Sequence, residues 1–261
     1  MPSTFREPHG AVEALRRCYG IARSIAIYYG NPLKRRRARL LYRRFIAPDA
    51  LCFDIGAHVG DRIGHFRALG ARVIALEPQP QLMRVLRRFY GGDRAVTLIE
   101  AAAGAAPGTA PLLADSANPT VASLSPAWIE TVSRSPAFRG LLWTERPNVA
   151  VTTLDALIAQ YGVPAFCKID VEGFESEVLR GLTQPLPALS IEYIQPAIEI
   201  ARRSVERLAA MAPYRFNLSP GESMRLADNS WCSAAELIKR LDALPATSGS
   251  GDVYAWLRNS E

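Results

Sequence analysis

A chain of 261 residues and 28.6 kDa has room for one large domain, or for a domain with an appendage. Apolar residues at 49% and charged residues at 21% lie close to the soluble globular average, which excludes a disordered, collagen-like or coiled-coil chain. The net charge is +6, the mean hydropathy is +0.01, and the longest early apolar run, residues 21–29, is broken by Arg23, well short of the ~18 uninterrupted apolar residues of a spanning helix.

Residues 1–10 carry Glu7, two prolines and His9 without an apolar stretch and small cleavage-site residues, so no secretory signal and a cytoplasmic compartment are expected. Cys18, Cys52, Cys167 and Cys232 are far apart, with no CxxC pair, which argues against a zinc site and a disulfide framework and for four buried thiols.

The charge is uneven. Residues 1–47 hold 11 basic and 2 acidic side chains, and residues 48–261 hold 20 and 23, which divides the chain into a basic arm and a main domain. In the arm Leu15, Cys18, Tyr19, Ala22, Ile25, Ala26 and Tyr29 recur at helical spacing. Asn31-Pro32 interrupts them, and Lys34-Arg35-Arg36-Arg37 opens a second stretch with Leu40, Leu41 and Phe45, so two short amphipathic helices are expected. Because 28 of the 31 basic residues are arginine, composition alone accounts for such a run, and the plain expectation is a solvated helical face packed on the main domain. The alternative is weak contact of residues 1–47 with the inner face of a membrane. No RNA-recognition signature accompanies the charge, so no nucleic-acid partner is expected.

After Pro48-Asp49, short apolar runs end in polar or glycine-rich turns and are followed by helix-compatible segments. Strands are expected at 51–54, 72–77, 96–100, 165–170 and 189–193, and helices at 63–69, 81–90, 154–160 and 175–181. Runs at 214–218 and 252–257, flanking a helix at 233–244, would complete a doubly wound, mostly parallel α/β sheet.

The segment Phe53-Asp54-Ile55-Gly56-Ala57-His58-Val59-Gly60-Asp61 places an acid at a strand end, glycines four apart, then a helix start. Gly56 lets the backbone turn and approach a ligand, and Gly60 allows a helix to pack closely on the strand. A dinucleotide fingerprint would need glycine at His58, and Asp54 would repel a phosphate. Glu77, before Pro78 at the tip of the next strand, suits the two hydroxyls of a ribose. Singly, Asp54 reads as a helix cap and Glu77 as a solvated strand end; together at adjacent strand tips they point to a nucleoside site.

These residues, with VIALEPQP at 73–80, VTTLD at 151–155, KIDVEGFE at 168–175 and IEY at 191–193, resemble the FkbM family of S-adenosylmethionine-dependent methyltransferases. The resemblance implies a Rossmann-like seven-stranded sheet whose last strand, 252–257, is antiparallel. It implies S-adenosylmethionine on Asp54, Gly56, Ala57, His58, Gly60, Glu77, Pro78 and Asp170, with Glu100 and Ala101 near the adenine. It also implies O-methylation of a small-molecule or glycan hydroxyl, on a sugar or a secondary metabolite.

Asp170, Glu172 and Glu175 are expected near the methyl end of the cofactor, although acids in a first helical turn also favour the helix dipole. An alcohol is about as weak an acid as water, so its methylation calls for a general base or a metal. Asp170, Glu172 and Glu192 are the candidates, with His58 as outsider. A carboxylate trio suits magnesium, but no diagnostic spacing assigns a metal. His65 reads as a helix-surface residue, and loops 116–148, with Trp128, Phe138 and Trp143, and 219–231 read as substrate lids or as packed loops. An NAD-dependent oxidoreductase would need the missing glycine and a Tyr-x-x-x-Lys pair; an inactive nucleoside-binding module docking through its arm is the other alternative.

Overall fold

The computed structural model describes residues 9–115 and 117–257, with side chains from Cys18 onward. The reading of residues 1–8, the placement of Leu15 on an apolar stripe and Ser116 fall outside the described residues.

Seven strands form the central sheet: β1 (Leu51–Ile55), β2 (Arg72–Leu76), β3 (Val96–Ile99), β4 (Phe166–Ile169), β5 (Ala188–Ile194), β6 (Arg215–Pro220) and β7 (Ser250–Trp256). Their spatial order is 6-7-5-4-1-2-3, and β7 runs antiparallel to both of its neighbours. This is the expected Rossmann-like sheet, with every expected strand present to within a residue or two. All five residues of β1 and all four of β4 are buried, because helices cover both faces of the sheet, which explains why these strands read as continuous apolar runs. The largest apolar cluster gathers Phe53, Ile55, Ile169 and Leu179; the next gathers Cys52, Val73, Phe166 and Tyr254 under the helices that precede and follow β1.

The helices are α1 (His9–Tyr29), α2 (Pro32–Tyr42), α3 (Asp61–Arg67), α4 (Pro80–Tyr90), α5 (Pro126–Val132), α6 (Leu154–Tyr161), α7 (Glu175–Arg180), α8 (Ile198–Met211) and α9 (Ala234–Asp242). The first arm helix is not short: it runs for 21 residues until Asn31 caps α2 by accepting the Lys34 N–H, with Pro32 at the first helical position. It also turns Cys18 outward, so three of the four thiols are buried rather than all of them. His65 is buried, not on a helix surface, because α2 folds over α3 and sets Tyr42 beside the imidazole. Helix α8, unforeseen in the sequence, buries Ala201, Val205 and Leu208.

Loop 116–148 is largely structured, with a strand at Asn118–Ser123, helix α5 and a short turn of helix at Pro136–Phe138. Its aromatics pack on one another, with the Trp128 ring 5.7 Å from Phe138 and 6.4 Å from Trp143, whose Nε1 donates to the Val121 carbonyl. Among the described residues no helix is long and apolar enough to cross a membrane.

Candidate active site

A cleft opens at the carboxyl ends of the central strands, where open α/β sheets place their ligands. Its empty volume is about 780 Å³ including the solvent mouth, and Gly56, His58, Glu77, Pro78, Ala101, Asp170, Glu172 and Glu192 all stand on its wall.

The glycine turn is dictated by close approach. Gly56 has φ +85°, and a β-carbon there would lie 1.8 Å from the Asp170 carbonyl oxygen. The Gly56 and Ala57 N–H groups donate to the Leu76 carbonyl, which ties the turn to β2. His58 then takes a left-handed conformation and donates its N–H to Glu77 Oε2 at 2.9 Å, while Gln79 N–H donates to Oε1 at 2.9 Å. Glu77 is thus held by one backbone donor on each oxygen, with lone pairs left for a ribose. Burial pushes its carboxyl up to about 8, against the pull of the two N–H groups. Burial lowers the His58 imidazole to about 4, which leaves it neutral near pH 7 and a weak base. Gly60, also left-handed, starts α3, and a β-carbon there would lie 2.6 Å from the Tyr90 ring.

Four predicted cofactor residues, Asp54, Ala57, Gly60 and Glu100, are not on this wall, and Ala57 and Gly60 belong to the glycine turn itself. The strand register sets Ala75, Asp54, Lys168, Ser190 and Tyr254 in one row across the sheet, so Asp54 belongs to a buried layer beneath the turn. Burial pushes its carboxyl up to about 7 against the pull of Arg62 and Lys168. Glu100 is exposed and its carboxylate pairs with Arg87 of α4 at 2.8 Å, whereas Ala101 next to it faces the cleft.

The three base candidates, Asp170, Glu172 and Glu192, come together, whereas Glu175, expected beside Asp170 and Glu172, does not join them. Carboxylate oxygens of Asp170, Glu172 and Glu192 lie within 4.8 Å of one another, brought together by the β4–β5 pairing and a tight turn after β4. Glu172 and Gly173 are both left-handed, the Ser123 hydroxyl donates to the Glu172 carbonyl at 2.6 Å, and a β-carbon on Gly173 would lie 2.1 Å from the Trp128 ring. Glu175 leaves the cluster: it is buried, and its Oε1 accepts the N–H groups of Val171 and Gly173, so it braces the turn. Lys168 Nζ sits 3.1 Å from Asp170 and 2.7 Å from Asp252. Burial alone would raise Asp170, but the Lys168 and Arg62 charges hold it below the usual carboxylate range. Burial, then the Asp170 charge, holds Glu172 and Glu192 well above theirs.

Tyr28 from α1 and Glu222 from the loop after β6 are among the wall residues that sequence reasoning did not single out. Lys34 joins them, 3.0 Å from the Glu222 carboxylate and 5.1 Å from the Tyr28 ring centre. The Tyr29 hydroxyl donates to the Val59 carbonyl at 3.0 Å, which latches α1 onto the glycine turn. A second cavity, of about 760 Å³ including its mouth, lies between α1 and the Asn118–Ser123 strand and shares Tyr28, Thr120, Glu172 and Glu192 with the cleft. The residues of the first cleft fit S-adenosylmethionine: the Gly56 turn packs directly on the Asp170 backbone, Glu77 suits a ribose, and Leu76, Ala103, Leu112 and Phe174 form an apolar wall that suits an adenine.

The buried acids set a pH dependence. Asp54 (about 7), Glu77 (about 8) and Glu175 (about 7) are raised by burial from ordinary carboxyl values of 3.8 to 4.5, so the folded state binds more protons than the unfolded chain. Their contribution is full below pH ~4 and is lost as pH climbs through 7–8. The thermal midpoint of the ligand-free protein is expected to fall between pH 5 and 8.5 at fixed ionic strength. A flat or rising midpoint would show that these carboxyls are ionised in the fold.

No curated protein matches the sequence. Among solved structures, the chain is similar to a TehB-like SAM-dependent methyltransferase from Corynebacterium glutamicum, at 11% identity and a TM-score of 0.47, covering 97% of this chain and 100% of that one. It is also similar to an O-methyltransferase from Bacillus cereus in complex with SAH, at 13% identity and a TM-score of 0.46, covering 92% and 90%. A precorrin-6y C5,15-methyltransferase from Geobacter metallireducens is 14% identical with a TM-score of 0.45, covering 86% and 87%. The methyltransferase FkbM domain profile matches residues 54–212, from the acid of the glycine turn to the end of α8, and the chain belongs to this family of S-adenosylmethionine-dependent methyltransferases.

Proposed function

We propose that the protein methylates a hydroxyl group of a small-molecule or glycan acceptor, a sugar or a hydroxylated secondary metabolite. The observation that carries this reading is the acid cluster at the junction of two cavities, with Glu172 and Glu192 facing both. S-adenosylmethionine supplies an electrophilic methyl group from the first cleft. The second cavity presents Ser24, Asn118, Thr120 and Ser250 beside Tyr28 and Phe138, which suits a polyhydroxylated acceptor with one apolar face. The acceptor oxygen must come within about 3–3.5 Å of the methyl carbon, in line with the bond that breaks, so its positioning supplies much of the rate.

The hydroxyl proton needs an acceptor. Glu192 takes it while its own proton passes to Asp170, the cluster's ionised member, to which Glu192 is hydrogen-bonded and beside which Lys168 stands. Replacement of Glu192 by glutamine removes this relay and is expected to lower kcat by roughly 10²–10⁴ while leaving cofactor affinity within about threefold. The check is transfer of tritiated methyl from S-adenosylmethionine to a panel of sugars and polyols, with titrations of S-adenosylmethionine, S-adenosylhomocysteine and NAD alongside. Unchanged turnover in Glu192→Gln would sink the relay, label on nitrogen or carbon would sink the hydroxyl acceptor, and binding of NAD alone would sink the class.

One observation supports a second reading: three carboxylates within 4.8 Å are hard oxygen ligands for magnesium, which would acidify the hydroxyl directly. Lys168 already neutralises Asp170, which favours the relay. Turnover lost in chelator and restored by magnesium would move the assignment to the metal.

A further inference from the structure

Helix α2 has two faces of different chemistry. Ala38, Leu41 and Tyr42 are buried against the sheet helices, whereas Leu33, Arg37 and Leu40 recur every three or four residues on another, exposed side, which exposed Arg44 continues in the turn after the helix. Leu33 is 62% exposed and Leu40 57% exposed, at the centre of this outer stripe, and Arg36 and Arg43 flank it. The stretch 32–44 holds seven basic residues and no acid. Among the described residues no carboxylate lies within ion-pair distance of Arg36, Arg37, Arg39, Arg43 or Arg44, so nothing on the domain neutralises them. The large exposed apolar side chains also concentrate here, with Tyr19, Ile27, Leu33 and Leu40 all in the arm.

We propose that this outer face of α2 docks on the surface of an anionic lipid bilayer. Two signals coincide on it, as reversible membrane attachment requires: unpaired positive charge for the head groups and projecting leucines for the acyl boundary beneath them. Arginine suits the geometry, because its stem lies along apolar surface while its guanidinium remains among phosphates. A nucleic-acid surface would satisfy the charge but leave Leu33 and Leu40 in water, and a second copy of the chain would bring the same uncompensated arginines face to face. The arm also borders the second cavity through Arg23 and Ile27, so one stretch of chain carries both the docking face and the entrance beside the acids.

The test uses the full chain and co-sedimentation with vesicles of phosphatidylcholine alone or with 30 mol% phosphatidylserine. Binding to the anionic vesicles is expected to be at least about tenfold stronger, and to weaken several-fold between 0.1 and 0.5 M salt as the Debye length shrinks. Reversal of two charges, Arg37→Glu with Arg44→Glu, is expected to weaken it by roughly tenfold or more, and Leu33→Ser with Leu40→Ser by roughly fivefold or more. All four positions are exposed and none lines the cleft, so S-adenosylmethionine affinity and the thermal midpoint serve as controls that each variant is folded. Equal binding to both vesicle types would overturn the proposal. So would serine variants that bind vesicles fully while the glutamate variants lose affinity for a single-stranded RNA probe, or a concentration-dependent dimer abolished by the serine variants without vesicle binding.

Discussion

Glu77→Ala is expected to weaken S-adenosylmethionine binding by roughly 10²–10⁴-fold, which isothermal titration of the purified variant would read directly. The magnitude follows from two hydroxyls of a ribose each donating to one carboxylate, at about 1.5–3 kcal/mol per hydrogen bond to a charged group. The structure supplies the reason for the upper part of that range. Glu77 is 3% exposed, its oxygens are aimed by His58 N–H and Gln79 N–H, and water has little access to substitute for the lost carboxylate. Truncation also leaves those two N–H groups without an acceptor, so part of the loss is a slackened turn. Glu77→Gln separates the two effects, because an amide keeps one acceptor and most of the volume. Since burial holds the free carboxyl near 8, while a ribose donating to it favours ionisation, affinity is expected to rise as pH is raised from 6.5 to 8.5. Wild-type affinity in Glu77→Ala would remove the ribose from this position.

Lys168→Met is expected to lower the unfolding free energy by about 3–5 kcal/mol, the usual penalty for removing one partner of a buried ion pair. Lys168 is 1% exposed and holds Asp252 at 2.7 Å and Asp170 at 3.1 Å, so methionine would remove the cation paired directly with both acids and leave only the Arg62 charge acting on them. In a domain of this size the midpoint would drop on the order of 10 °C. Pairing the change with Asp252→Asn should recover part of the loss, because the uncompensated charge and not the missing contact dominates. A drop below about 1 kcal/mol in the single variant would mean that water reaches the pair.

The parts of the molecule legible in the sequence were those in which a local pattern has one physical cause. Strands β1 and β4 are apolar at nearly every position because both faces are covered, and the glycine turn and Glu77 are signalled by residue types that strand tips seldom need for folding alone. Glu175 was not legible, since an acid that braces a turn and an acid that faces a cleft look alike four positions after Val171; only the hydrogen bonds to Val171 and Gly173 distinguish them. Glu192 reaches Asp170 and Glu172 through the β4–β5 register, a relation between segments some twenty residues apart. Tyr28 and His65 depend on how the arm folds over the domain, and the charged side chains interspersed along α8 diluted the apolar stripe of Ala201, Val205 and Leu208.

The latch between α1 and the glycine turn, together with β7, bears on portability. The stretch matched by the family profile, 54–212, contains every motif that announces methyl transfer, yet Tyr28 enters the cleft from upstream of it and Glu222 from downstream. Asp252, the closer partner of Lys168, is also supplied from beyond that stretch, on a strand inserted between β5 and β6. A graft limited to the matched residues would therefore transplant the signature without the enclosure, leaving a bare strand edge at β5 and a buried lysine with half its counter-charge. The smallest transferable unit of this enzyme must therefore include Asp252, the closer partner of Lys168, and the cleft residues Tyr28 and Glu222, all three outside the stretch by which the family is recognised.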